Sequence, residues 1–220
     1  MKLKAFKMTS FILVIMMFIS SCEQKEIDAD KLCKEFYQLN MGKNFDGLYD
    51  VLIANSRVRS VYDESVDQYD YFFPIISVYD FKSENFITIP VFKKGANLAE
   101  KDSIFKRCDQ RTKAFLSDKL KATSEKDLLA AYIQYVDSIY IKYYNIKTPK
   151  WHSSKNVIVE GHPRTGKFIT FTLKTLTKIC KCYFVSDKSS LNEYWSTHFS
   201  SMKKLDDKGW YYEISDNKEK

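Results

Sequence analysis

The segment from Ser124 to Tyr143 constrains the fold more than any other. Leu128, Leu129, Tyr132, Ile133, Val136, Ile139, Tyr140 and Tyr143 recur at steps of three and four residues, the period of one helix face. Ser124, with Asp127 three positions on, resembles a capping box that opens the helix. A helix with one apolar stripe must bury that stripe, so this one requires a second layer to pack on. Aromatic side chains at this spacing serve as core packing rather than as a ligand platform.

The rest of the chain supplies that layer. A first helix is expected from Asp28 to Met41, capped by Asp28, with Leu32, Cys33, Phe36, Tyr37 and Leu39 on or near its apolar face and Gly42 as its stop. One helix is also expected over Leu98 to Leu120, where Ile104, Phe105, Cys108, Thr112, Phe115 and Leu116 share a face. Residues 44–70 are ambiguous and lean toward a helix or irregular segment that carries Leu48, Val51 and Leu52 into the core. "YFFPIISVY" and "ENFITIPVF" read as strands, and Pro74 and Pro90 push both toward edges or bulges. After Pro149 come strands near 156–160, 168–174, 178–185 and 209–214, with a helix over 189–204 that turns Leu191, Tyr194, Trp195, His198, Phe199 and Met202 to one side. The predicted class is α+β, with N-terminal and central helices packed on a mostly antiparallel C-terminal sheet, and residues 28–220 form a single domain.

"EGHPRTGKF", Glu160 to Phe168, imitates a phosphate-binding loop: Gly161, Gly166 and Lys167 match, and Phe168 stands where the magnesium-binding hydroxyl belongs. A phosphate loop also needs a helix next, whereas "KFITFTLK" alternates with period 2. A hairpin is therefore expected, with no nucleotide site.

Residues 1–22 decide the compartment. Lys2, Lys4 and Lys7 precede an unbroken apolar run from Phe11 to Ile19, too short to span a bilayer, which takes about 20 residues. The run ends in Ile19-Ser20-Ser21-Cys22, and these residues resemble the lipobox of bacterial lipoproteins. The resemblance implies removal of residues 1–21, a diacylglycerol thioether on Cys22, and acylation of the new amino terminus by a chain such as palmitate. Several acyl chains hold a membrane far more firmly than one. Glu23 differs from the aspartate that retains lipoproteins in the inner membrane of enteric bacteria, which favours the outer membrane. Residues 22–27 then serve as a lipidated tether.

Removing the three signal lysines takes Lys+Arg from 35 to 32 against 28 acids, a net charge of about +4. So small an excess, without basic runs, excludes a nucleic-acid partner. Four further cysteines, Cys33, Cys108, Cys180 and Cys182, are disulfide candidates outside the cytoplasm. Cys180 and Cys182 share one strand face and are too far apart to bridge each other without strain, so they are expected to reach toward Cys33 and Cys108.

No cofactor or metal is expected, because His152, His162 and His198 lack ligand spacing and no nucleophile signature occurs. The remaining polar candidates for binding are the acidic cluster Asp63, Glu64, Asp67 and Asp70, and His162 in the hairpin loop. Three functions follow. The first is an envelope lipoprotein that binds a protein or glycan, in one form an immunity-type inhibitor whose acidic surface meets a basic toxin site. The second is an envelope enzyme acting on glycan or cell-wall material, and the third is a structural assembly subunit.

Overall fold

A computed structural model describes residues 28–57, 72–92, 95–150, 157–175 and 177–217. Asp28 caps helix α1 (Ala29–Asn40) by accepting from the Asp30 and Lys31 backbone N–H groups. The chain then enters strand β1 (Val51–Arg57), where a helix or irregular segment was expected. Val51-Leu52-Ile53 is apolar at every position and fits either period; Val51 and Ile53 are fully buried while Leu52 is only half-buried, the alternation of a strand.

Strands β2 (Phe72–Asp80) and β3 (Asn85–Ile89) follow as a hairpin. β3 lies at an edge, as Pro90 suggests, but β2 is an interior strand. It tolerates Pro74 because pairing with β3 covers only Ile76 to Asp80, which leaves Pro74 without a partner on that side.

The expected single helix over residues 98–120 is two: α2 (Leu98–Lys106) and α3 (Gln110–Leu120). Asp109 accepts from Thr112 N–H and starts the second one, a capping signal that the continuous apolar face concealed. Helix α4 (Glu125–Asn145) is the expected long amphipathic helix, 21 residues capped by Ser124. Strands β4 (Ile158–Gly161), β5 (Lys167–Lys174) and β6 (Lys178–Asp187) come next. A 3-10 turn then leads to helix α5 (Glu193–Ser201), and the short β7 (Lys203–Lys204) and β8 (Trp210–Asp216) complete the set.

Among the described residues eight strands join one sheet in the order β3-β2-β1-β4-β5-β6-β8-β7, and every pairing is antiparallel. The α+β class holds. The sheet is not confined to the C-terminal part, because β1 pairs with β4 and joins the strands of both halves.

One face of the sheet is closed. α1 covers β6 and β8, burying Leu32, Cys33 and Phe36 against Phe171, Cys180, Cys182 and Trp210. α2, α3 and α4 complete the same core with Phe105, Leu116, Tyr132, Val136 and Ile139 over Ile53, Ile76, Val78 and Ile89. Tyr132 and Tyr140 keep their hydroxyls satisfied by donating to the Pro90 and Phe92 carbonyls at 2.5 and 3.1 Å. The two helical groups are tied by the buried Asn40, whose Nδ2 donates to Phe36 O and Lys147 O, both at 2.7 Å, while its Oδ1 accepts from Lys147 N–H at 2.9 Å.

The four cysteines are buried free thiols, so the expected staple to both helices does not form. The Cys33 thiol is in contact with Cys180 and Cys182. Cys108 instead donates to Ile104 O at 3.9 Å. Among the described residues no helix is long and apolar enough to cross a membrane.

Candidate functional site

The opposite face of the sheet is only partly covered. Strand alternation turns Glu160, Phe168, Thr170, Thr172, Lys181, Tyr183, Val185, Tyr211 and Glu213 onto it. The register aligns Glu160, Thr170, Tyr183 and Tyr211 in one cross-strand row, and Ile158, Thr172, Lys181 and Glu213 in the next. α5 lies over one end, where Phe168, Tyr183, Val185, Phe199 and Tyr211 form a second, smaller core with Leu191, Trp195 and Met202 packed against it.

The β4–β5 hairpin that imitated a phosphate loop sits at this boundary. Gly161 pairs with Ile169, and His162 N–H donates to Phe168 O at 3.2 Å, so a strand follows the loop, as the alternation required. The two glycines are explained without a ligand. A Cβ on Gly161 would stand 2.3 Å from the Leu48 carbonyl oxygen, and Gly166 adopts φ 151°, a conformation rare for other residues.

His162 leaves the loop and packs. Its ring stacks on Phe168 at 4.1 Å between centroids and lies 5.5 Å from Trp195. Its Nε2 is 2.8 Å from the hydroxyl of the buried Thr170. Burial, reinforced by the nearby Lys181 charge, lowers its pKa to about 4, so the ring is neutral at pH 7.

Beside it lies a charged cluster. The Tyr183 hydroxyl donates to Glu213 Oε1 at 2.5 Å, Lys181 Nζ lies 3.6 Å from the same oxygen, and His198 Nε2 is 3.5 Å from Glu213 Oε2. Burial, and then the bond to Glu213, pushes the Tyr183 phenol up and keeps it a donor. Glu160 is half-buried, and burial raises its carboxyl above the usual range against the opposing pull of Lys181. With 42% of the Lys181 side chain and 32% of the Glu213 side chain exposed, these pairs contribute at most about 1 kcal/mol each to stability. Folding alone is a weak reason for so many polar groups on one patch.

The outer side of α5 departs from expectation. Tyr194 was placed on the inner stripe, but it is 68% exposed. It stacks on His198 at 5.8 Å and meets Trp195 edge-on at 5.6 Å. A groove of about 490 Å³ runs beside it, lined by Glu193, Tyr194, Thr197, His198 and Ser201. Aromatic rings thus pass from the exposed Tyr194 through Trp195 to His162, next to the Lys181–Glu213 pair.

Of the residues singled out from the sequence, His162 belongs to this face. Asp63, Glu64, Asp67, Asp70 and Cys22 lie outside the described residues. Glu160, Lys181, Tyr183, Tyr194 and Glu213 were not anticipated as site residues. Period-2 alternation marks Lys181 and Tyr183 as sharing a face of β6, but only the pairing register places Glu213 and Glu160 beside them. Among the described residues no group of three or more His, Cys, Asp or Glu is arranged to hold a metal ion. No protein-family model, no curated protein and no solved structure matches this chain.

Proposed function

We propose that this protein is a lipid-anchored lipoprotein of the cell envelope, favoured on the outer membrane, that binds a protein or glycan partner through the open face of its sheet beside α5. The observation that carries the binding role is Tyr194: a large aromatic left exposed on a rigid aromatic base, next to a half-exposed acid–base cluster. Such anchors dominate binding energy where they occur, and polar groups around them set orientation. The anchor rests on Cys22 and the segment before it.

An enzyme acting on glycan is less well supported by this face. Glu160 and Glu213 stand on β4 and β8, three strand spacings or about 14 Å apart at the backbone, and a glycosidase acid pair works at about 5–10 Å between carboxyl groups. Glu213 is moreover already engaged by Tyr183, Lys181 and His198.

Two experiments test the proposal. Cys22→Ala should release the full chain from membranes and abolish its partition into detergent; a variant that still partitions overturns the anchor. Affinity capture with the full chain from envelope and culture supernatant should retain one stoichiometric protein, or the chain should be retained on a glycan column. Turnover of peptidoglycan that Glu160→Gln abolishes would replace binding with catalysis.

A further inference from the structure

Three thiols meet beneath α1. Cys33 faces inward from the helix, and Cys180 and Cys182 project from β6 toward it, all with no exposed surface. Cys180 and Cys182 are two residues apart on one strand, about 7 Å along the backbone, so they cannot bridge each other without strain. Cys33 touches both. A soft-metal site of three sulfurs is the competing use of such a trio, but among the described residues no such group has the arrangement to hold an ion.

The helix itself chooses between the two partners. Side chains of an α-helix lean toward its N-terminus, over the preceding turn, so Cys33 Sγ points back toward Ala29, one turn earlier. Cys180 Sγ sits at that place, 3.7 Å from Ala29 O. Cys182 Sγ lies 4.0 Å from Cys33 O, one turn further toward the C-terminus and away from the direction in which the Cys33 side chain leans. We propose that Cys33 and Cys180 form a disulfide that fastens α1 to β6, with Cys182 left beside it as a thiol.

The chemistry is thiol–disulfide exchange. Each thiol loses its proton and the pair together loses two electrons to an external protein or small-molecule disulfide, which leaves as two thiols. Only the supply of that oxidant rests on the envelope location proposed above. In the docked state Cys33 and Cys180 are poor nucleophiles. Hydrogen bonding to Cys180 favours the Cys33 thiolate, but contact with Cys182 and burial outweigh it and push the thiol up; contact with Cys33, then burial, does the same to Cys180. The bond therefore forms while α1 is undocked, during folding, and docking then protects it.

The test uses the full chain carrying Cys22→Ser, so that this sulfur takes no part. The protein is unfolded, refolded in a buffer of reduced and oxidised glutathione, alkylated, and digested without reduction for mass mapping. The expected product is a single Cys33–Cys180 linkage with Cys108 and Cys182 alkylated, and a melting midpoint about 6–12 °C above the reduced form. Cys182→Ala should keep the linkage, and Cys180→Ala should divert it to Cys182. Four alkylated thiols, a linkage through Cys108, or Cys182 as the main partner in the chain with all three thiols present would each overturn the proposal. If refolding yields no soluble protein, the same map is made on envelope protein trapped with an alkylating agent before lysis, with the same outcomes deciding. Free thiols in envelope protein together with the linkage in refolded protein would count against the compartment and leave the geometry standing.

Discussion

The two faces of the sheet solve different problems with the same strands. On the closed face, Phe36, Phe45, Phe171, Phe184 and Trp210 fill the space under α1 with ring centroids 5.1 to 6.5 Å apart, and the buried Asn40 amide between the helices is satisfied by backbone groups. On the open face, α5 covers one end, and beyond it Glu160, Lys181 and Glu213 are left half-buried. The closed face packs its apolar side chains into the core. The open face keeps an aromatic anchor and ionisable groups that add little to folding, and the proposed recognition role rests on that difference.

The largest effect should come from the closed face. Trp210 is 1% exposed and touches Phe36, Tyr37, Phe45, Phe171 and Phe184. Trp210→Ala should cost about 3–5 kcal/mol in denaturant unfolding. A loss below about 1 kcal/mol would show that this face is not the packed core described.

A smaller effect follows from His162, at the seam between the small core and the open face. Its folded pKa of about 4 lies below an unfolded value near 6.5, so the unfolded chain binds the proton first. The stability linked to it is complete above pH 6.5 and is lost as pH falls toward 4, by about 2–3 kcal/mol. Glu160, whose pKa is raised, acts in the opposite direction, and Lys181 faces both groups. The comparison that isolates the imidazole is therefore the pH dependence of unfolding for wild type against His162→Asn. Parallel curves between pH 6.5 and 4 would mean that the ring is not held in a dry site.

The smallest effect on stability should be on the open face. Tyr194→Ala and Lys181→Ala should each leave unfolding within about 0.5 kcal/mol of wild type. Tyr194→Ala should nonetheless weaken partner binding by about 30-fold, the cost of losing an anchor residue. A variant that loses stability and keeps its affinity would reverse the assignment of the two faces.

How much of this the sequence contained depended on whether the signal was local. The cap and stripe of α4, the Asp28 cap of α1, and the hairpin from Gly161 to Phe168 were legible because each is decided within a few residues. The split at Asp109 was hidden because the apolar face runs across it, and β1 because Val51-Leu52-Ile53 carries no period. The site was the least legible part. Glu160, Lys181 and Glu213 share a face only through the register of four strands, and Tyr194 faces outward because α5 turns Phe199, not Tyr194, into the sheet. Tyr194 and Phe199 are five residues apart, about 140° around a helix, so the stripe read from the sequence was too wide to hold both.

The most direct measurement is a hydroxyl-radical footprint of the full chain, free and with its captured partner. Protection concentrated at Tyr194, Trp195 and His198, with the exposed Met41, Phe81 and Tyr144 unchanged, is the predicted result. Protection centred on those three control residues, with Tyr194 as reactive as in the free chain, would contradict the assignment of recognition to the open face.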